Sequence, residues 1–257
     1  MAEIIILGSS SGNPSPDRAN ASLILKAGDG IYQFDAGEGF SSSALRHKID
    51  HHKIKAIIIS HMHPDHITGL FLEIQMMYLA RRTAPLAVYL PEEGIAAVKG
   101  FMLAGYLFPE KLGFDLSIKP IRPDPAFRDG NIAVYVRANT HLRHYGESIK
   151  DAGYPNLMQS YSYVIKADGR KVIYSGDIGS FDDYSDLLEG CDLLITEGLH
   201  VDLAALFEKA AENNLQRIVL THLSAQMFAD PEPIKALAAK WGIDEVKVAE
   251  DGMKVDI

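Results

Sequence analysis

Short apolar runs broken by glycine, proline and serine dominate the first ninety residues, a pattern typical of strands joined by turns. Runs at 3–7, 21–26 and 30–34 predict three strands, and the segment Gly28-Asp29-Gly30 predicts a hairpin turn between the last two. The β-branched run at 55–60 predicts a buried strand. This part of the chain is therefore expected to build a sheet.

Apolar residues at helical spacing alternate with these strands along the rest of the chain. Asp65 follows a proline and is suited to cap a helix that runs to residue 81 or 82. The proline-rich stretch 106–129 predicts strand and loop. Further helices are predicted at 41–51, 92–104, 201–213 and 232–241, and further strands at 86–90, 132–138, 160–166, 171–174, 193–196, 217–220 and 245–249. We predict one α/β domain over residues 1–257, in two halves that each carry a sheet with helices outside it.

Composition supports a globular protein of an ordinary kind, with 47% hydrophobic and 23% charged residues. No apolar run approaches the roughly 18–20 residues of a membrane-spanning helix, so no membrane segment is expected. The single cysteine, Cys191, excludes an intrachain disulfide framework and fits a reducing compartment. The first residues have no basic segment of the kind that opens a signal peptide, so we expect a cytoplasmic protein.

The formal net charge of −9 argues against a protein that binds nucleic acid through its overall charge. Contacts to phosphates dominate such binding, and they require a surplus of basic residues. RNA is therefore a possible partner that the charge does not favour. A local metal site could still hold a single phosphate, because bound cations are the largest charges in such a site.

Candidate chemistry is concentrated in His61-Met62-His63-Pro64-Asp65-His66, directly after the predicted buried strand. His61 and His63 are two residues apart in extended chain and point the same way, and Asp65 and His66 follow at the start of a helix. Imidazole and carboxylate ligands without thiolate suit zinc, iron or manganese. Six residues cannot complete a tetrahedral site alone, so more ligands are expected downstream.

Three residues downstream occupy the same position relative to a predicted strand. His141 follows the strand at 132–138, Asp177 follows the strand at 171–174, and His222 follows the strand at 217–220. Strand ends that meet at one edge of a sheet would bring such residues together. The sequence therefore predicts seven candidate metal ligands.

These residues lie within a longer resemblance to the metallo-β-lactamase superfamily of metal-dependent hydrolases, which carries a His-x-His-x-Asp-His signature. The opening from Gly8 to Leu25, the segment Phe34-Asp35-Ala36-Gly37, the segment Ser175-Gly176-Asp177 and the closing Glu250-Asp251-Gly252 also resemble this superfamily. Within it, the chain looks most like the ribonuclease Z branch, whose members trim the ends of transfer RNAs. The resemblance implies a four-layer αββα sandwich with two mixed sheets and helices on the outer faces.

Carried over to this chain, the resemblance implies two metal positions. His61, His63 and His141 would bind one metal ion, Asp65, His66 and His222 would bind the other, and Asp177 would bridge them. Two divalent ions, zinc above all with manganese or iron as alternatives, would share a water or hydroxide and lower its pKa towards roughly 7. Asp65 would also orient or deprotonate this nucleophile.

Residues outside the ligand set are expected to orient the ligands and to transfer protons. Asp35 is expected to accept a hydrogen bond from a ligand imidazole, and Glu197 is a similar candidate at the end of a strand. Ribonuclease Z enzymes carry a His-Ser/Thr motif that supplies a proton to the leaving group, and this chain offers only His200 between Glu197 and His222. We therefore take His200 as the candidate proton donor.

Substrate contacts are expected from the long connection after His141, where Arg143, His144 and Tyr145 could face the substrate. The chain has no basic, glycine-rich insertion like the arm with which ribonuclease Z enzymes grip transfer RNA. The expected activity is thus hydrolysis of a phosphodiester, small or derived from nucleic acid. Lactone or thioester hydrolysis is the alternative, followed by a metal-binding module without activity, and a homodimer is plausible from the resemblance.

Overall fold

The computed structural model describes residues 2–122 and 125–257, and its contacts divide the chain into two compact units. The first unit runs to Ile121 and also includes Glu250–Asp256, so the end of the chain returns to it. The second unit holds Arg122–Ala249 and Ile257. Residues 123 and 124, within the stretch where strand and loop are predicted, lie outside the described residues.

The first unit is built on a seven-stranded mixed sheet in the order β14-β1-β2-β3-β4-β5-β6. The neighbours from β14 to β3 pair antiparallel, and those from β3 to β6 pair parallel. The strands are β1 (Glu3–Gly8), β2 (Ser22–Ala27), β3 (Gly30–Phe34), β4 (Ile54–Ile58), β5 (Leu86–Leu90), β6 (Leu116–Pro120) and β14 (Lys254–Asp256).

Helices pack on one face of this sheet and form the core of the first unit. Buried side chains of the strands, such as Ile57 and Val88, belong to one cluster with Phe40, Ile74 and Met102 of the helices. Burying large apolar side chains of this kind stabilises the fold by about 1.5–3 kcal/mol each. The helices are α1 (Phe40–Arg46), α2 (Pro64–Ile67), α3 (Gly69–Leu79) and α4 (Ile95–Ala104).

The second unit has a sheet of the same design, in the order β13-β12-β11-β10-β9-β8-β7. Strands β7 to β10 pair antiparallel and β10 to β13 pair parallel. The strands are β7 (Phe127–Asp129), β8 (Ile132–Ala138), β9 (Tyr161–Ala167), β10 (Arg170–Tyr174), β11 (Leu193–Glu197), β12 (Arg217–Thr221) and β13 (Glu245–Val248). The helices are α5 (Gly146–Ala152), α6 (Leu203–Glu212), α7 (Ala225–Ala229) and α8 (Glu232–Ala239).

The predicted α/β class with two mixed sheets is confirmed, and the main differences concern two helical regions. The helix predicted from residue 65 to 81 or 82 is divided at Thr68 into α2 and α3. The connection after His141, predicted without helical structure, contains a short 3-10 helix and α5. No helix of the described residues has the length and apolar character needed to cross a bilayer.

Candidate metal centre

The first group of candidate ligands lies just beyond the carboxyl end of β4 in the first unit. His61 is fully buried, and its ring centroid lies 4.6 Å from that of His63 and 4.2 Å from that of His66. The ligand atoms of His61 and His63 lie within 4.8 Å of each other, as do those of Asp65 and His66. The structure therefore gathers these four side chains into one cluster.

Helix α2 positions Asp65, the acidic side chain of this cluster. The start of the helix differs from the sequence prediction. The N-cap is His63, in extended conformation, and Pro64 takes the first helical position. The predicted capping role of Asp65 is wrong, because Pro64 already starts the helix one residue earlier. Asp65 instead lies in the first turn, with its Oδ2 atom 3.4 Å from Nε2 of His66.

Asp35 lies at the carboxyl end of β3 and fixes the ring of His66. Its carboxylate is within 2.9 Å of Nδ1 of His66 and accepts hydrogen bonds from the backbone N–H and the hydroxyl of Ser60, at 2.6 and 3.0 Å. Nε2 is thereby left as the nitrogen that can bind a metal. Asp35 has a φ angle of 57°, a left-handed conformation that costs a non-glycine residue roughly 1 kcal/mol or more.

The opening loop of the chain also approaches this cluster. Asp251 accepts hydrogen bonds from the backbone N–H groups of Ser9, at 3.0 Å, and Ala19, at 2.7 Å, and so fixes both ends of the loop. Gly12 lies beside Asp65, since a Cβ atom at that position would lie 3.5 Å from Oδ2 of the carboxylate. The opening loop therefore passes next to the carboxylate of Asp65 at Gly12.

The second group of candidate ligands lies in the second unit, after three of its strands. Oδ2 of Asp177 lies 3.7 Å from Nε2 of His141 and 3.3 Å from Nε2 of His222. All three side chains are more than nine-tenths buried. His222 has a φ angle of 52°, so this residue too has a strained, left-handed backbone. Asp177 thus lies within 4 Å of both imidazoles.

Two residues that the sequence analysis missed hold this second group in place. Asn139 accepts a hydrogen bond from the backbone N–H of His141 and donates one to the carbonyl of Asp177, at 3.2 and 2.9 Å. The carboxylate of Asp183 accepts hydrogen bonds from Thr140 and from the N–H groups of residues 179 and 180. Together they connect the turn after β8 to the turn after β10.

Glu197 is the last residue of β11 and holds His200. Its buried carboxylate accepts hydrogen bonds from the backbone N–H groups of Ile178, Leu199 and His200. Nδ1 of His200 lies 2.9 and 3.0 Å from the two carboxylate oxygens. Since these groups satisfy the carboxylate, Glu197 is suited to orient His200 rather than to bind a metal.

His200 is the exposed member of the second group. Its side chain is 41% exposed, and its ring centroid lies 5.5 Å from that of His141 and 6.1 Å from that of His222. With Nδ1 held by Glu197, Nε2 is the nitrogen available to hold or release a proton. The structure therefore places an oriented imidazole beside two of the candidate ligands.

The three candidate substrate contacts are the exposed residues of the 3-10 helix that starts at His141. Nδ1 of His144 lies 2.9 Å from the carbonyl oxygen of His141, and its ring centroid lies 3.9 Å from that of Tyr145. His144 and Tyr145 are thus held close to a candidate ligand. Arg143 is exposed on the same turn.

The donor atoms in both units fit a divalent metal ion. Each unit gathers imidazole nitrogens and carboxylate oxygens within 4.8 Å, and zinc, manganese and iron accept this mixture of ligands. The buried contact between Asp35 and His66 is of the kind that fixes a metal-binding imidazole in one tautomer. An ordinary buried ion pair would not require so many imidazoles at strand ends.

Comparison with known proteins agrees with these features. The family model described as "Beta-lactamase superfamily domain" matches residues 32–223. A curated relative, ribonuclease Z of Archaeoglobus fulgidus, is 25% identical over 303 aligned positions, which cover 99% of this chain and 97% of the relative.

Two solved structures share the fold over nearly the whole chain. The metallo-beta-lactamase fold protein YhfI of Bacillus subtilis has a TM-score of 0.77 at 20% identity, and covers 99% of this chain and 98% of its own. The short form of human tRNase Z has a TM-score of 0.72 at 22% identity and covers 99% of both chains. At these identities the two structures support the fold alone.

Proposed function

This chain belongs to the beta-lactamase superfamily, in the branch that contains ribonuclease Z, and on that premise we propose that it is a metal-dependent phosphodiesterase. The observation that carries the proposal is the ligand set. Four His and Asp side chains gather after β4, three gather after β8, β10 and β12, and the chain aligns with a ribonuclease Z along almost its whole length.

We propose that the seven ligands together bind two divalent metal ions, with zinc as the first choice. His61, His63 and His141 would bind one ion, and Asp65, His66 and His222 would bind the other, with Asp177 as the bridging ligand. The superfamily pattern and the clustering of donor atoms in each unit support this assignment. When bound, the ions would supply Lewis acidity to a phosphoryl oxygen and a lowered pKa to a water molecule.

The protein's own side chains would orient the water, hold a ligand in place and transfer protons. Asp65, whose carboxylate lies beside Gly12 of the opening loop, would orient the attacking water and accept its proton. Asp35 would keep the ring of His66 in place through Nδ1. His200, oriented by Glu197, would give a proton from Nε2 to the departing oxygen.

A small phosphodiester suits this chain better than a whole transfer RNA. The net charge of −9 opposes binding of a long polyanion, and the sequence has no basic, glycine-rich insertion to hold one. Arg143 could pair with a phosphate, and His144 and Tyr145 could line the substrate, all from the exposed turn after β8. We therefore propose that this turn selects the substrate.

Hydrolysis of bis-p-nitrophenyl phosphate by protein of measured metal content tests the proposed function. We expect turnover that rises with bound zinc, and a loss of at least about a hundredfold in kcat for Asp65→Ala, because positioned general bases contribute about that much. An aryl ester and a lactone serve as comparison substrates. Turnover of these with an inert diester would replace the proposal by carbonyl hydrolysis, and bound metal without any turnover would indicate a non-enzymatic module.

The role of His200 predicts a dependence on the leaving group. His200→Ala should lower kcat about a hundredfold for a diester with a poor leaving group such as an alkoxide, because that oxygen needs a proton as it departs. The effect should shrink to less than about threefold for p-nitrophenolate, which departs as an anion. Equal losses for both substrates in a series of measured kcat values would exclude proton donation by His200.

Glu197→Gln serves as the matched variant, since it keeps the size of the side chain and weakens the acceptor that holds Nδ1 and the backbone N–H of His200. It should show the same dependence on the leaving group, at smaller amplitude, because His200 is still present but less firmly oriented. Its bound zinc should equal that of the wild-type protein.

A further inference from the structure

Among the fully buried polar side chains of the first unit, two that lie outside the ligand set contact each other. Gln33, on β3, and Glu73, on α3, both have 0% exposure. The amide Nε2 of Gln33 donates one hydrogen bond to Oε2 of Glu73, at 3.0 Å, and another to the backbone carbonyl of Asp35, also at 3.0 Å. A single amide group therefore connects a buried acid in the core to the residue that holds His66.

The carbonyl that Gln33 binds belongs to a strained position. Asp35 has a left-handed backbone, and such a residue persists only where its surroundings fix it. Its N–H donates to the carbonyl of Ile58, and its carboxylate contacts Ser60 and His66. The hydrogen bond from Gln33 fixes the carbonyl side of the same residue.

Burial of Glu73 in this position costs free energy. Burial raises its pKa from 4.5 to about 8, and the hydrogen bond from Gln33 offsets only part of this effect. Arg82, the cation that acts on it electrostatically, donates its own hydrogen bonds to the carbonyls of residues 51, 54, 84 and 85. Ile74 and Met77, which lie near Glu73 on α3, are part of the apolar core. An apolar side chain in place of Glu73 would therefore satisfy packing there.

We propose that Gln33 and Glu73 are positioning residues that fix the backbone of Asp35 and, through its carboxylate, the ring of His66 in the orientation that binds metal. Glu73 orients the amide of Gln33, and Gln33 holds the Asp35 carbonyl. The inference rests on the proposed metal site and adds two residues to it that touch neither metal nor substrate. It also explains why a core of apolar side chains retains a buried acid.

Replacing either residue by methionine tests the proposal, because methionine fills a similar volume without an acceptor or donor. For Glu73→Met and Gln33→Met we expect zinc to bind about threefold to tenfold more weakly in competition with a chelator, less than the loss from a direct partner of a ligand. In the metal-free protein, the Nδ1 proton of His66 should exchange at least about tenfold faster by NMR, because Asp35 holds it less firmly.

Two further variants separate positioning from packing. Glu73→Gln keeps an oxygen that accepts from Gln33, so it should stay within about twofold of wild type in both measurements. Met77→Leu disturbs the same core four residues along α3 and should change neither. Wild-type zinc affinity and proton exchange in folded Glu73→Met would overturn the proposal. A wild-type protein that binds no zinc would overturn the proposed function instead, and the proton exchange would still decide the role of Glu73.

Discussion

Asp177→Asn is expected to lower kcat for bis-p-nitrophenyl phosphate by about a thousandfold and to reduce bound zinc from two ions per chain to one or none. Oδ2 of Asp177 lies close to Nε2 of both His141 and His222, and in the proposed centre this carboxylate bridges both ions. The amide that replaces it has no negative charge, and loss of metal removes several kcal/mol of transition-state stabilisation. Metal analysis and steady-state kinetics on the same preparation measure both effects.

Asp186→Asn is the matched control in the same unit. Asp186 forms an exposed ion pair with Arg137 at 2.7 Å, and exposed pairs contribute little to stability. This variant should keep two zinc ions and the kcat of the wild type. Two bound ions and undiminished kcat in Asp177→Asn would show that the carboxylate does not bridge, and would require a different ligand set.

Glu73→Gln is expected to stabilise the protein, and the gain should grow as the pH rises. The unfolded chain releases the Glu73 proton near its ordinary pKa of 4.5, whereas the folded protein holds it up to about 8. Between these values the unfolded state binds fewer protons, so this residue lowers the free energy of unfolding as the pH rises. The loss is on the order of 4 kcal/mol at pH 8, and glutamine does not titrate.

Denaturant unfolding of metal-free protein at several values between pH 4.5 and 8 measures this difference. The difference in stability between Glu73→Gln and wild type should be small at the acidic end and largest at the alkaline end. Glu110→Gln, an exposed substitution in the first unit, should show no such trend. A constant difference across the range would mean that Glu73 ionises in the folded protein at its ordinary pKa.

The sequence predicts the parts of the fold and site that depend on neighbouring residues. The run before His61 predicts β4 because its β-branched residues are consecutive, and the ligands after it are recognisable because four of them fall within six residues. His141, Asp177 and His222 could be found because each lies within three residues of the end of a strand. The resemblance to the metallo-β-lactamase superfamily is confirmed by a family model that spans most of the chain.

What the sequence does not predict depends on contacts between distant residues. Helix α2 ends at Ile67, just before Gly69, whose backbone passes so close to Gly37 that a Cβ atom would lie 2.1 Å from the Gly37 carbonyl oxygen. Asn139 and Asp183 hold backbone groups on separate turns, and nothing local in their sequence indicates those partners. From the sequence, Gln33 and Glu73 are only interior positions of a strand and a helix. The hydrogen bond between them joins residues 40 positions apart, so the local sequence does not indicate it.

The left-handed backbones of Asp35 and His222 also depend on contacts between distant residues. Neither residue is a glycine, and although Asp and His adopt a positive φ angle more often than most other side chains, that preference is too weak to predict it at a given position. Both conformations are imposed by the surrounding strands and hydrogen bonds, because short-range preference disfavours them. Residue type therefore identifies Asp35 and His222 as candidate site residues, but it does not predict their backbone conformation.

The return of Glu250–Asp256 to the first unit has a consequence for synthesis on the ribosome. Strand β14 pairs with β1, and Asp251 fixes the opening loop at Ser9 and Ala19, the loop that brings Gly12 beside Asp65. A nascent chain that has already displayed every candidate ligand still lacks these contacts, since Glu250–Asp256 follow all seven candidate ligands along the chain. The first unit is therefore completed only after Arg122–Ala249 has been synthesised, and a product that stopped before Glu250 would carry all the candidate ligands without the contacts that Asp251 makes to the opening loop.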